Sequence, residues 1–299
     1  MQTDPLYNKL LDLLTASWAA QPDKPEETPE STLKALYFFA AGIPVSVQKA
    51  SRENVPNLDD NACKQLEALV DKRLTGIPLA YITGRQQFLG MELLAGPEAL
   101  IPRIETEILG RAALSIAKSI ADTLGIVTVL DVCTGSGNVA LGIASKEPRS
   151  RVFGSDLSGE AILLAKKNVQ HLKLKDQIEF RQSDLFAAFE SDEFYGKIDL
   201  ITCNPPYIPS AKVSSMAPEI SKCEPRLAFD GGSLGIAILT RLIRESPKYL
   251  KQNSYLCFEI GLGQGKAMEQ RLRKEMSYCN IQSYVDSANQ VRALSAQVA

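Results

Sequence analysis

Residues 126–138 constrain this chain more than any other stretch: the apolar run Ile126-Val127-Thr128-Val129-Leu130 leads into Asp131-Val132-Cys133-Thr134-Gly135-Ser136-Gly137-Asn138. A β-branched run ending in a Gly-x-Gly turn and passing into a helix opens a parallel strand–helix crossover. Glycines at 135 and 137 let the backbone turn tightly and approach a ligand, and a helix starting near Asn138 presents unpaired N–H groups in its first turn. The dinucleotide fingerprint asks for a third glycine three residues after the second, and its looser form accepts the alanine found at 140. Taken alone, the loop leaves a nicotinamide-dependent dehydrogenase open.

The alternation continues on both sides of this turn. The pattern predicts helix 105–123, strand 126–131, helix 138–146, strand 151–155, helix 158–170, strands 177–182 and 198–203, helix 234–250, strand 254–259, helix 265–276 and two closing strands within 280–294. That succession is a doubly wound, Rossmann-like α/β sheet, whose ligands sit beyond the C-terminal ends of its strands. Aspartates fall at those ends. Asp156, about twenty residues past the glycine loop, is placed to accept both hydroxyls of a ribose. Asp184, followed by Leu185, supplies an acceptor and an apolar flank for an adenine amino group and ring. Asp131 puts negative charge where a pyrophosphate would be repelled and a cation welcomed, which favours S-adenosyl-L-methionine, a sulfonium, over NAD. Each of these acids taken singly is as readily a helix cap or a strand-end solvating group.

The predicted strand 198–203 delivers Asn204-Pro205-Pro206-Tyr207. Proline has no backbone N–H, so positions 205 and 206 offer only carbonyl acceptors, and the Asn204 side chain adds another beside a flat aromatic. This corner suits a planar NH2 group. Its plainer reading is a turn, since Asn-Pro and Pro-Pro end strands wherever they occur.

Together, Asp131-Val132-Cys133-Thr134-Gly135-Ser136-Gly137 and Asn204-Pro205-Pro206-Tyr207 resemble the class I S-adenosylmethionine-dependent methyltransferases that modify planar nitrogens. Four further segments narrow the resemblance to the peptide chain release factor glutamine methyltransferases. They are Gly76-Ile77-Pro78-Leu79-Ala80-Tyr81 with Phe88-Leu89-Gly90, Leu100-Ile101-Pro102-Arg103, Glu224-Pro225-Arg226-Leu227-Ala228 with Asp230-Gly231-Gly232, and Phe258-Glu259-Ile260-Gly261. The likeness spans residues 76–299. It implies a cofactor site built on Asp131, Cys133, Thr134, Gly135, Ser136, Gly137, Asp156, Asp184, Leu185 and Asn204. It also implies a substrate clamp of Asn204, Pro205, Pro206 and Tyr207, with Asn204, Pro205 and Tyr207 acting on the amide. The implied acceptor is the glutamine of the release factor's Gly-Gly-Gln loop. Rival acceptors for the same clamp are a ribosomal-protein glutamine and an exocyclic base amine of nucleic acid.

The implied organisation is a helical substrate-recognition domain over 1–80, a hairpin linker over 81–104 and the methyltransferase domain over 105–299. Two departures stand out. Ile104 stands where the family usually has proline, and Ser233-Leu234-Gly235 follows Gly231-Gly232 where an acidic pair and glycine are common. In the front region Asp4-Pro5, Thr28-Pro29 and Asp59 or Asp60 read as helix N-caps, the third helix ending at Gly76. Leu6, Leu10, Leu13, Leu14 and Trp18 read as one apolar stripe, and residues 21–30 as a Pro- and Glu-rich insert. Arg103 is open between the cofactor carboxylate and the substrate loop, and Glu224 and Arg226 are open between a surface pair and a clamp over the site.

With 299 residues, 45% of them hydrophobic, the chain can bury a full core. It carries neither a basic-then-apolar leader nor an apolar run of about 18 residues, which makes a cytoplasmic protein the expectation. Six scattered cysteines suggest buried thiols with no metal site, and the single His171 suggests a surface or capping role. A net charge of −2, with eight basic against eleven acidic residues in positions 1–80, argues against stable nucleic-acid binding. The expected working form is a monomer acting on release factors, with no membrane partner.

Overall fold

The computed structural model describes residues 5–19 and 23–299. Its front region is helical: α1 (Pro5–Ala16), α2 (Pro29–Ala40), α3 (Val47–Ala50), α4 (Asp60–Leu74) and α5 (Leu79–Thr83). The expected cap at Thr28 is a complete capping box, Thr28 Oγ1 accepting from Ser31 N at 3.1 Å and Ser31 Oγ accepting from Thr28 N at 2.8 Å. Thr28→Ala is therefore expected to cost about 1 kcal/mol, read as a lower midpoint in urea at unchanged m-value. Asp59 caps α4 through Ala62 N, and the helix stops at Leu74, two residues before Gly76. Asp4 lies outside the described residues.

The α1 stripe differs from expectation. Leu10 and Leu14 are buried with Tyr7, whose ring lies 5.6 Å from that of Tyr37, whereas Leu13 is 43% exposed. At about 100° per residue, Leu13 turns away from the face that positions 7, 10 and 14 share. Trp18 lies beyond the helix end and is half-buried. These helices enclose a core of their own.

Strands β1 (Arg85–Phe88) and β2 (Met91–Leu94) form the expected hairpin. Its turn is seated on the helix that follows, α6 (Thr106–Leu124), where Glu107 Oε1 accepts from Leu89 N at 2.8 Å. Glu107 thus has a second duty beyond favouring the positive end of a helix.

The remaining elements are β3 (Val127–Val132), α7 (Asn138–Lys146), β4 (Ser150–Asp156), α8 (Gly159–Leu172), β5 (Ile178–Gln182), β6 (Ile198–Cys203), the short α9 (Ser210–Val213) and α10 (Pro218–Cys223), α11 (Ala237–Glu245), β7 (Leu250–Glu259), α12 (Gly265–Lys274), β8 (Tyr278–Val285) and β9 (Val291–Val298). One seven-stranded sheet runs β5-β4-β3-β6-β7-β9-β8, parallel from β5 to β7, with β9 antiparallel to both of its neighbours. Apolar layers cover both faces, which is why β6 is buried at all six positions. The helix expected over 234–250 is shorter, because Pro247 cannot continue an α-helix and the chain passes through a single 3₁₀ turn, Ser246–Lys248, into β7. All six cysteines are free thiols, Cys203 and Cys257 being buried in β6 and β7, and His171 is exposed in the last turn of α8. Among the described residues no helix is long and apolar enough to cross a membrane, and no group of His, Cys, Asp or Glu is arranged to hold a metal ion.

Candidate active site

The strands β3, β4, β5 and β6 end side by side, so the turns that follow them share one edge of the sheet. There they wall a cavity of about 160 Å³. From β3 come Cys133, Thr134, Gly135, Ser136 and Asn138; from β4, Asp156, Leu157 and Ser158; from the turn after β5, Ser183, Asp184 and Leu185; and from β6, Asn204 and Pro206. The glycine turn is as tight as its sequence requires. Gly137 sits at φ +84°, and a Cβ there would come 2.9 Å from the Phe180 ring.

Asp156 lies in the wall, Oδ2 accepting from Gly135 N at 2.8 Å and Oδ1 from Ser158 N at 2.9 Å. Burial pushes its pKa up against those two bonds. Asp131 does not line the cavity. It is 1% exposed beneath the loop, its two oxygens taking the hydroxyls of Thr134 at 2.5 Å and Thr202 at 2.6 Å. Burial raises its pKa to about 6. The direct charge contact expected of Asp131 is replaced by a structural one, in which it ties the loop to β6. Asp184 is half-exposed in the wall, with both carboxylate oxygens on Arg241 Nη1 of α11 at 3.0 and 3.2 Å. The acceptor expected there for an adenine amino group already has a cationic partner.

In the second motif, Asn204 and Pro206 face the cavity, whereas Pro205 is buried and neither it nor Tyr207 lines the wall. Asn204 Nδ2 donates to Thr106 Oγ1 at 3.2 Å, and the Tyr207 hydroxyl donates to Glu259 Oε1 at 2.8 Å. Burial beside that carboxylate holds the phenol proton on well above the usual range. The backbone of the motif is gripped from behind. Gln264 Nε2 donates to Tyr207 O and to Gly235 O, each at 3.2 Å, and Gly235 at φ +68° approaches so closely that a Cβ would lie 2.2 Å from Tyr207 O. Gly235 therefore carries the packing role in this chain's unusual Gly-Gly-Ser-Leu-Gly loop. Gly235→Ala is expected to push the motif aside and slow turnover about 100-fold, since displacements near 1 Å cost that much, measured as a single-turnover rate.

Two segments of the wall were not assigned from sequence: the linker stretch Ala99, Leu100, Pro102, Arg103 and Thr106, and the cap residues Pro225, Leu227 and Ala228. Ion pairs join them. Arg103 holds Glu224 through Nη2 and Asp23 through Nε at 3.1 Å, while Glu224 Oε2 accepts from Ile101 N at 3.0 Å. Glu224 is buried and ties the linker to the cap without itself lining the cavity, and Arg226 is a surface pair with Asp230. Deeper, Lys24 at 1% exposure meets Glu219 of α10 at 2.6 Å, and Arg73 of α4 meets the same carboxylate at 2.9 Å. Glu27 lies 3.5 Å from Arg73, with its pKa pushed up to about 7 by burial. The described part of the Pro- and Glu-rich stretch, residues 23–30, is therefore a strap between the front helices and the cap, anchored by the buried side chains of Lys24 and Glu27. Its members gave no periodic signal, because their partners lie up to 195 residues away.

The cavity fits S-adenosylmethionine. Ser136 Oγ is buried in its wall without a hydrogen bond, a position that calls for a ligand's polar group. Asp156, Glu160 and Asp184 give the wall a negative character, and its one cation among the described lining residues, Arg103, is already matched by two carboxylates. Leu157, Leu185 and Ile238 supply apolar surface for a ring.

Residues 126–294 match the methyltransferase domain, and residues 52–84 match the PrmC N-terminal domain. The fold also resembles the human METTL16 catalytic domain solved with a MAT2A 3′UTR hairpin, at a TM-score of 0.55 and 15% identity over 76% of this chain and 81% of that one, a likeness of fold alone. Fold and site make the chain an S-adenosylmethionine-dependent methyltransferase. The release factor glutamine methyltransferase of Moorella thermoacetica is 34% identical over 76% of this chain and 77% of its own length, and that of Rhodopirellula baltica is 31% identical over 92% of each. The chain belongs to the release factor glutamine methyltransferase family, and its enzymatic class is protein-glutamine N-methyltransferase.

Proposed function

We propose that the chain methylates the side-chain nitrogen of the glutamine in the Gly-Gly-Gln loop of peptide chain release factors. The observation that carries this reading is Asn204 at the cavity wall with its Nδ2 already spent on Thr106, which leaves Oδ1 as an acceptor for an incoming NH2 group. The loop Cys133–Gly137 would hold the cofactor, with Asp156 for its ribose and Leu157 and Leu185 for its ring. When bound, it supplies an electrophilic methyl on a sulfonium.

What the protein adds follows from what an amide nitrogen lacks. Its lone pair is delocalised into the carbonyl, a resonance reflected in a rotation barrier of about 18–20 kcal/mol, so it is a poor nucleophile. Asn204 Oδ1 at the wall accepts one of its hydrogens and leaves more density on nitrogen; the Pro205 carbonyl, behind the wall in the resting enzyme, takes the other once the substrate amide opens the corner. Tyr207, fixed by Glu259, orders the corner against which the amide plane rests. No strong general base is needed, because the proton lost from the nitrogen as the N–CH3 bond forms passes to water; orientation and preorganised dipoles provide the acceleration. The front helices over 1–80 and the linker over 81–104 recognise the protein substrate and brace the cap, and the enzyme works as a monomer without stable nucleic-acid contacts.

The test is mass spectrometry of purified release factors after incubation with the enzyme and isotopically labelled S-adenosylmethionine. A single methyl on the Gly-Gly-Gln glutamine is expected. Label on a ribosomal protein or a nucleic-acid base, with none on that glutamine, would overturn the assigned acceptor.

A further inference from the structure

We propose that Leu234 and Leu262 form an apolar seat on which the release factor docks beside the clamp; this rests on the release-factor reading of the site. The order of the strands places the seat. Asp184 follows β5, Asp156 ends β4 and the glycine loop follows β3, so the cofactor cavity takes the ends of those three strands and reaches Asn204 after β6. The next strand in the sheet is β7, parallel to β6. Its C-terminal end therefore lies on the same edge, on the far side of the clamp from the cofactor wall. Transfer needs the nitrogen aligned opposite the sulfur it displaces, so the substrate protein arrives from that far side.

Two loops flank the clamp there: residues 231–235, after the cap, and residues 261–264, after β7. Both lie directly against the motif because glycine leaves no side chain in between. A Cβ on Gly231 would fall 2.5 Å from Pro206 O, one on Gly235 2.2 Å from Tyr207 O, and one on Gly261 3.0 Å from the Tyr207 ring. A single side chain pins both loops. Gln264 Oε1 accepts from Gly261 N at 2.9 Å, while its Nε2 donates to Gly235 O and to Tyr207 O. Leu234 precedes one of these anchored glycines and Leu262 follows the other. With the glycines buried against the motif, the leucines are left 70% and 64% exposed.

An exposed leucine is ordinary where it stands alone. These two stand on loops joined by one amide bridge, at the rim of a site whose substrate is a protein. That protein must cover the rim to bring its glutamine to Asn204. Leucine carries no charge and no hydrogen-bonding group, so the matching surface is apolar: aliphatic or aromatic side chains of the release factor that flank its acceptor loop. Glycine packing and Gln264 already fix the two loops. Docking therefore orders little new backbone, and burial of the leucines counts toward affinity.

Full-length enzyme and purified release factor, at saturating S-adenosylmethionine, give the test. Leu234→Glu and Leu262→Glu are each expected to raise KM for the release factor about 10-fold or more, because a charge would have to be buried against an apolar surface. The value of kcat at saturation and Kd for S-adenosylmethionine should stay near wild type. Leu234→Met keeps an apolar side chain of similar volume and should keep most of the affinity. The control is Leu124→Glu: Leu124 is 59% exposed at the end of α6, just before β3 and so at the opposite edge of the sheet, and KM there should not change. An unchanged KM in both Leu234→Glu and Leu262→Glu would overturn the proposal, as would an equal rise in Leu124→Glu. Calorimetric binding of the release factor in the presence of S-adenosylhomocysteine reads docking without methyl transfer. Should wild-type enzyme bind the release factor yet leave it unmethylated, the acceptor reading fails, while the affinities of the two glutamate variants still decide the seat. Absence of binding to wild-type enzyme would overturn both.

Discussion

Asn204→Ala is expected to slow methyl transfer by about 10²–10³, in line with the loss of one preorganised hydrogen-bonding group at a reacting centre. The cause is specific. Removing the side chain deletes the carbonyl that would accept from the amide NH2, while the cofactor wall built by Cys133–Gly137, Asp156 and Leu185 stays in place. Binding of S-adenosylmethionine, followed by calorimetry, should change far less than turnover. Asn204→Asp separates charge from shape: the carboxylate still accepts, but it no longer donates to Thr106. A variant at 204 that turned over normally would remove this residue from the mechanism.

The second large effect concerns the strap. Glu219→Leu is expected to destabilise the protein by about 3–5 kcal/mol, because Lys24 and Arg73 would both remain in a dry interior without the carboxylate that neutralises them. At about 2–4 °C per kcal/mol for a chain of this size class, the melting temperature should drop by roughly 10 °C. Replacing the three together should be much milder. Lys24→Met and Arg73→Met combined with Glu219→Leu remove three of the four buried groups and leave Glu27, whose pKa burial already pushes up to about 7 and which then keeps its proton, and ion clusters exchanged for apolar side chains of similar volume are often neutral. Non-additivity among the three variants is thus the signature to measure. If Glu219→Leu melted within a degree of wild type, the strap would be no more than a surface ornament. The same change should hasten loss of the cofactor, since α10 leads directly into Pro225, Leu227 and Ala228 of the cavity wall.

Much of this architecture was legible locally. Strand β3, its glycine turn and α7 lie within twenty residues of one another, and each signal is a short-range steric or polar preference that needs no knowledge of distant partners. The turn that ends β6 at Asn204-Pro205-Pro206-Tyr207 was legible for the same reason, since consecutive prolines and an asparagine limit what a backbone can offer wherever they fall. What escaped depended on contacts between remote positions. Asp131 reads as a free carboxylate until Thr202, 71 residues on, is found against it. Asp184 reads as an acceptor until Arg241 arrives from α11, 57 residues away. Thr106 reads as a helix-start residue, yet it holds Asn204 across 98 residues. The strap was the hardest case: Lys24 and Glu219 in isolation look like solvated charges, and only tertiary packing makes them a buried pair. Helix α11 shows the opposite failure, in which a local signal, Pro247, was present and outweighed by apolar periodicity.

The central claim is that the acceptor is an amide nitrogen, and its most direct test is the chemical form of the transferred methyl. Release factor methylated with carbon-labelled S-adenosylmethionine, hydrolysed in strong acid, should release the label as methylamine, because an N-methylated glutamine amide breaks down to glutamate and methylamine. Label recovered instead on an intact amino acid, or on a base when nucleic acid is present, would contradict the claim.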